Sequence, residues 1–144
     1  MPKPPRIVKN LFINGQFVKS VSGKVFDVIN PADETVLAQI DRGCNEDIDI
    51  AVKAAQNAFN NGPWSRMDPT DRARCMFKLA DLIEKNADEI GDLESINNGK
   101  PAHIAKVADL PNIYSTIRYY AGWADKISGQ TISCDGPFTA YTKK

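Results

Sequence analysis

Residues 24–59 read KVFDVINPADETVLAQIDRGCNEDIDIAVKAAQNAF, and a change of period inside this stretch decides how the chain is built. Lys24 to Ile29 and Thr35 to Ile40 are rich in β-branched side chains, which suit a pleated strand. Asn30-Pro31-Ala32-Asp33 lies between them; proline fixes φ and Asn and Asp favour turns, so the two runs are predicted to fold back on each other. Beyond Glu46 the apolar residues Ile48, Ala51, Val52, Ala55 and Phe59 recur at three- and four-residue steps, the stripe of one helix face. Asn45 is expected to cap that helix, and Asn60-Asn61-Gly62-Pro63 to stop it.

Upstream, Leu11 to Val18 reads LFINGQFV, with Asn14-Gly15 between apolar flanks as the signal of a tight hairpin. The first forty residues are therefore predicted to be a β-meander behind a Pro-rich, basic arm at residues 1–10. Downstream, Asp68-Pro69-Thr70-Asp71 is a helix start, with Asp as cap and Pro at the first helical position. Cys75, Met76, Leu79, Leu82 and Ile83 give its apolar stripe, with Cys75 expected in the core. A break is predicted near Asn86 before the stripe resumes at Ile90, Leu93 and Ile96. Asn97-Asn98-Gly99-Lys100-Pro101 then ends one helix and opens another, Gly99 taking the left-handed cap. Ile104, Val107, Ala108, Ile113, Ile117, Ala121 and Ala124 mark the next helical region, which Pro111 must kink. Past Gly129 the pattern predicts strands at Thr131 to Cys134 and Phe138 to Thr142 around an Asp135-Gly136-Pro137 turn, with Lys143-Lys144 still in strand.

This order lacks strand-helix-strand alternation, so a parallel sheet cannot be completed from these parts. The last hairpin is expected to need a partner, since an isolated two-stranded hairpin is marginal in water.

With 144 residues, 42% hydrophobic and 25% charged, the composition is that of a globular domain and excludes disorder and collagen. Eighteen basic residues balance eighteen acidic ones without a basic cluster, which disfavours nucleic acid and acidic membrane surfaces as partners. Apolar runs fall far short of a membrane span, and residues 1–10 lack the apolar segment of a signal peptide, so a soluble cytoplasmic chain is expected. Cys44, Cys75 and Cys134 contain no CxxC pair, and reduced thiols are the expectation.

The chemistry is sparse. None of the nine glycines forms GxGxxG or GxxxxGK[ST], so no phosphate-cradling loop is recognisable. His103 has no paired carboxylate at obvious spacing and reads as a surface or packing residue. No cysteine has a context that argues for a lowered thiol pKa. Tyr119, Tyr120 and Trp123 read as core or subunit-interface packing rather than a ligand platform. Asp81, Glu84, Asp88, Glu89, Asp92 and Glu94 read as a solvated helix face.

Seven segments in register nevertheless resemble one family. LFINGQFV, VFDVINPADETVLAQI, DIDIAVKAAQNAF, PWSRMDPTDRARCMFKLADLIEKN, ESINNGKP, RYYAGWADKISGQTI and DGPFTAYT look, in order and spacing, like the N-terminal portion of the NAD(P)-dependent aldehyde dehydrogenases. The similarity is to the cytosolic and mitochondrial class acting on retinal and aliphatic aldehydes. It implies an α/β fold in which residues 11–126 are the N-terminal part of a Rossmann-like NAD-binding domain with an incomplete sheet. Residues 127–144 would start an oligomerisation hairpin, which in the family joins subunits into dimers and tetramers.

The resemblance further implies that the family's catalytic cysteine, general-base glutamate, oxyanion-hole asparagine and ribose-binding lysine lie beyond Lys144, so no catalytic or cofactor-binding residue is carried over. Ala108 and Asn112 match positions lining the substrate entrance. Val28 and Asn97 match positions around a monovalent-cation site, where Asn97 stands in place of a frequent Asp. NAD or NADP is implied for the parent enzyme and not for this chain alone.

Three functional readings are open to such a chain. The first is an N-terminal fragment or truncated form of an enzyme that oxidises an aldehyde to a carboxylic acid through a cysteine thiohemiacetal, the segment itself being inactive. The second is a non-catalytic module pairing with full-length subunits by strand addition. The third, a self-sufficient small enzyme, is disfavoured by the single histidine and the missing phosphate loop.

Overall fold

The computed structural model describes residues 7–143, so the expected flexible arm falls largely outside the described residues. Asn14 and Gly15 take φ of 52° and 76°. That is the twist a two-residue hairpin requires, and β1 (Leu11–Ile13) pairs antiparallel with β2 (Gln16–Val18). A second hairpin joins β3 (Val25–Ile29) to β4 (Val36–Asp41), with a shift of register between Val28 and Ile29. Its turn uses the predicted residues. The Asn30 side-chain oxygen accepts from the Ala32 N–H at 3.0 Å, and Asp33 accepts from the Thr35 N–H and hydroxyl at 3.0 and 2.7 Å.

The two hairpins are separate two-stranded sheets and not one continuous meander. After β2 the backbone leaves the strand path, because the Ser20 hydroxyl and the Val21 N–H are both given to Asp47 at the start of the first helix, at 2.7 and 3.0 Å. Gly23, at φ 64°, then closes the turn by donating its N–H to the Ser20 carbonyl.

Helix α1 (Asn45–Asn61) is capped by Cys44, one residue before the expected Asn45. Asp47 causes the displacement: three residues into the helix, its carboxylate accepts the Cys44 N–H at 2.9 Å. A 3-10 turn at Pro63–Arg66 leads to α2 (Pro69–Lys85). Asp68 stands at the cap position but contributes its carbonyl, which accepts the Arg72 N–H at 3.0 Å, while its side chain makes no capping bond. The break at Asn86 is present, followed by α3 (Ala87–Asn98) and Gly99 at φ 79°. The next helical region starts as α4 (Ala102–Ile104), widens into a π turn at Ala105–Asp109 and continues as α5 (Leu110–Ala121). The helical region is distorted next to the predicted proline: the π turn ends one residue before α5 opens, and Pro111 sits in the first turn of α5.

The main packing is α2 against α5, with Ala80 and Ala121 almost fully buried. Cys75, expected in this core, is exposed. Ala73, Met76, Ala80 and Ile83 form the covered side of α2, which turns Cys75, Leu79 and Leu82 to solvent. The acidic residues are more than a solvated face: Arg118 of α5 bridges Asp81 and Glu84 of α2 at 2.8 and 2.5 Å. Tyr119, Tyr120 and Trp123 are exposed, so they are not core; Tyr119 and Tyr120 meet edge-on with centroids 5.2 Å apart.

The final strands, β5 (Thr131–Ile132) and β6 (Ala140–Tyr141), are two residues each and pair with one another. They are shorter than expected, and the chain has left β6 by Thr142. Cys134 donates its Sγ–H to the Phe138 carbonyl at 2.9 Å, drawing the intervening residues into a loop around Gly136.

Candidate functional site

A groove of about 300 Å³ opens where the β3–β4 hairpin meets α3. Its hairpin wall is Val28, Leu37, Ala38 and Ile40, its helix wall Ile90, Leu93, Glu94 and Asn97. Alternation along the strands puts Val28, Ala38 and Ile40 on one face, and the three- and four-residue steps of the helix align Ile90, Leu93, Glu94 and Asn97. Val28 and Asn97, far apart in sequence, thus line one groove. The surface is chiefly aliphatic, with the Glu94 carboxylate and the Asn97 amide as its polar groups, and Asn98 donates to Glu94 at 2.5 Å.

The groove leads into the NNGKP segment, which does more than punctuate. Gly99 would bring a Cβ to 3.0 Å from Pro31 Cγ, so its small size lets α3 end against the β3–β4 turn. The Lys100 N–H donates to Asn98 Oδ1 at 2.8 Å, and its ammonium pairs with Asp109. Ala108, in the π turn, and Asn112, in the first turn of α5, are exposed and lie outside the groove. The structure therefore brings the four residues together as one pair only. Among the described residues no three His, Cys, Asp or Glu side chains are grouped to hold a metal ion.

The most heavily hydrogen-bonded carboxylate lies elsewhere, at the start of α1. Asp47 is buried and accepts from the Ser20 hydroxyl, from the Val21 and Cys44 N–H groups and from the Cys44 thiol. The Cys44 N–H, foremost among these donors, holds the carboxyl well below the ordinary Asp value. Conversely, Glu46 and Asp47 push the Cys44 thiol up, which disfavours the thiolate and with it nucleophilic chemistry. A carboxylate three residues after a cap is a recognisable pattern, but a cysteine cap concealed it; Ser20 carried no sequence signal at all.

The model of the aldehyde dehydrogenase family matches residues 17–144. The chain belongs to the aldehyde dehydrogenase family. It is 52% identical over 132 residues to aldehyde dehydrogenase 1 of Tanacetum cinerariifolium, covering 92% of this chain and 26% of that protein. To the mitochondrial aldehyde dehydrogenase of Rattus norvegicus it is 46% identical over 142 residues, 98% of this chain and 27% of the relative. Among solved structures, the NAD+ complex of the Bacillus cereus aldehyde dehydrogenase superimposes with a TM-score of 0.88 at 47% identity, over 92% of this chain and 27% of that one. The chain thus spans about a quarter of the length of the relatives it matches. The separate small sheets are the N-terminal part of the aldehyde dehydrogenase fold.

Proposed function

We propose that this chain serves as the N-terminal structural segment of an NAD(P)-dependent aldehyde dehydrogenase whose remainder supplies the cysteine nucleophile, the base and the cofactor site. The parent enzyme would oxidise an aldehyde to a carboxylic acid through a cysteine thiohemiacetal, and the segment alone would be inactive. The observation that carries this reading is the agreement of sequence and fold over nine-tenths of the chain with a family member whose structure is an NAD+ complex. NAD(P) would act as hydride acceptor. The described strands pair only antiparallel, so they offer no crevice at the carboxyl ends of parallel strands and do not themselves fit the dinucleotide.

Within this proposal residues 11–126 belong to the NAD-binding domain and residues 127–144 begin an oligomerisation hairpin through which subunits associate. Ala108 and Asn112 would line the approach of the aldehyde, and their exposure is compatible with that role. Val28 and Asn97 would border a monovalent-cation position. Hard cations take oxygen donors, and the Glu94 carboxylate and Asn97 amide oxygen in the same groove fit that chemistry. A cytoplasmic location is proposed, in keeping with three unpaired thiols.

The test is NADH formation from acetaldehyde or retinal. The purified chain is expected to show none, whereas the chain joined to the reading frame downstream of Lys144 should turn over both cofactor and aldehyde. Turnover by the rigorously purified 144-residue chain overturns the assignment of catalysis to the remainder.

A further inference from the structure

The π turn at Ala105–Asp109 is held by contacts that the proposed enzymatic role leaves unused. Five-residue closure is intrinsically less favourable than the α-helical ladder, and such turns persist where something selects them. Here the Leu110 N–H reaches back to the Ala105 carbonyl. Ala105 and Leu110 are both almost fully buried. In an uninterrupted α-helix residues five apart point about 140° from one another, so one of the two would leave the core. In the π turn they share a side. The extra residue also rotates the helical segment beyond it, and Val107 and Ala108 are presented to solvent.

Pro111 permits this register without choosing it. Lacking an N–H, it can serve neither the Val107 carbonyl in an α-helical ladder nor the Lys106 carbonyl in a five-residue one, so both registers lose one bond there. A specific contact from α3 supplies the choice. Lys106 lies across Gly91, where an added Cβ would stand 2.6 Å from its Cγ and 3.2 Å from its Cε. Its ammonium ends between Asp92 and Asp88 at 2.8 and 3.2 Å. The stem is seated only because residue 91 has no side chain, and the end is anchored only because α3 carries two carboxylates one turn apart.

We infer that Lys106 is a positioning residue, which by lying over Gly91 and anchoring on Asp88 and Asp92 selects the π turn and so fixes the face on which Val107 and Ala108 stand. Its consequence for aldehyde approach rests on the function proposed above; the register itself does not.

Nuclear magnetic resonance and hydrogen exchange on the full 144-residue chain test it. The native chain should show a cross-peak between the Ala105 α-proton and the Leu110 amide, the signature of five-residue closure. Lys106→Met keeps the stem and removes the anchor; it should weaken that cross-peak and lower Leu110 protection about fivefold, the scale of two partly exposed ion pairs. Lys106→Arg should restore both, and amides of α2 should be unaffected throughout. Gly91→Ala should disturb the turn in the native background and do so much less beside Lys106→Ala, which removes the obstructing stem. An unchanged cross-peak and unchanged protection in Lys106→Met would show that burial of Ala105 and Leu110 alone sets the register, and the inference would be wrong. These signals are independent of enzymatic activity, so a failed activity test leaves them readable.

Discussion

Asp47 joins three parts of the chain that sequence separation would keep apart: the end of the first hairpin, the loop before α1 and α1 itself. Its ionised form accepts every one of these bonds, and its carboxyl lies below the ordinary Asp value. Between that native value and the unfolded value near 4, the unfolded chain binds more protons than the native chain, so stability rises with pH through this window. The contribution should be complete above about pH 5 and lost as pH falls through about 4 toward the native value. Urea midpoints measured from about pH 3 to about pH 7 should show this slope, and Asp47→Asn should flatten it while lowering the plateau. Ser20→Ala leaves the buried carboxylate one donor short and should cost about 1–3 kcal/mol in the same titration. None of this could be read from Ser20, whose partner is 27 positions away. The pairing exists only once the chain has folded back.

Elements whose signals are local were legible for the same reason. Asn14-Gly15 and Gly99 act through their own backbone and Asn86 through its side chain on the Leu82 carbonyl four residues back, and each stands where the sequence predicts. Gly99 adds a tertiary constraint, since it combines a positive φ with close approach to Pro31. Gly99→Ala is therefore expected to destabilise by at least about 1 kcal/mol, more than the same change at an exposed, unconstrained glycine. Thermal unfolding followed by far-ultraviolet circular dichroism measures it. Local signals did not settle which face of α2 is covered. Apolar residues ring α2 widely enough to define two stripes, and periodicity alone could not say that Ala80 faces α5 while Cys75 faces water. The groove was legible only through the family resemblance, which named Val28 and Asn97 together; strand and helix phases place each on a face of its own element, whereas the π turn that sets Ala108 depends on Gly91 and Lys106, which have no joint pattern in sequence.

At the scale of the molecule the surface area is the informative quantity. A compact monomer of this mass would expose about 7,300 Å², and this chain exposes 11277 Å². Among the described residues no large side chain is fully buried, and exposed apolar side chains run over the first two hairpins, the helices and the last hairpin; two of these places differ in their physics. One is helical, including Leu79, Leu82, Tyr119 and Trp123; it offers area without direction and should bind a hydrophobic dye such as ANS. The other is the β5–β6 hairpin, where Ile127, Phe138 and Tyr141 are each more than 70% exposed beside strand edges with amides and carbonyls open to a further strand. Edges of this kind select a partner strand by hydrogen bonding, so specific association should reside there and nonspecific dye binding should not. Deleting residues 128–144 separates the two. Helical ellipticity and most of the ANS fluorescence should survive the deletion, while self-association in sedimentation velocity, or pairing with a full-length aldehyde dehydrogenase subunit, should be lost. Helices that melt in the truncated chain while association persists would place the hairpin in this segment's own core and transfer the association surface to the helical face.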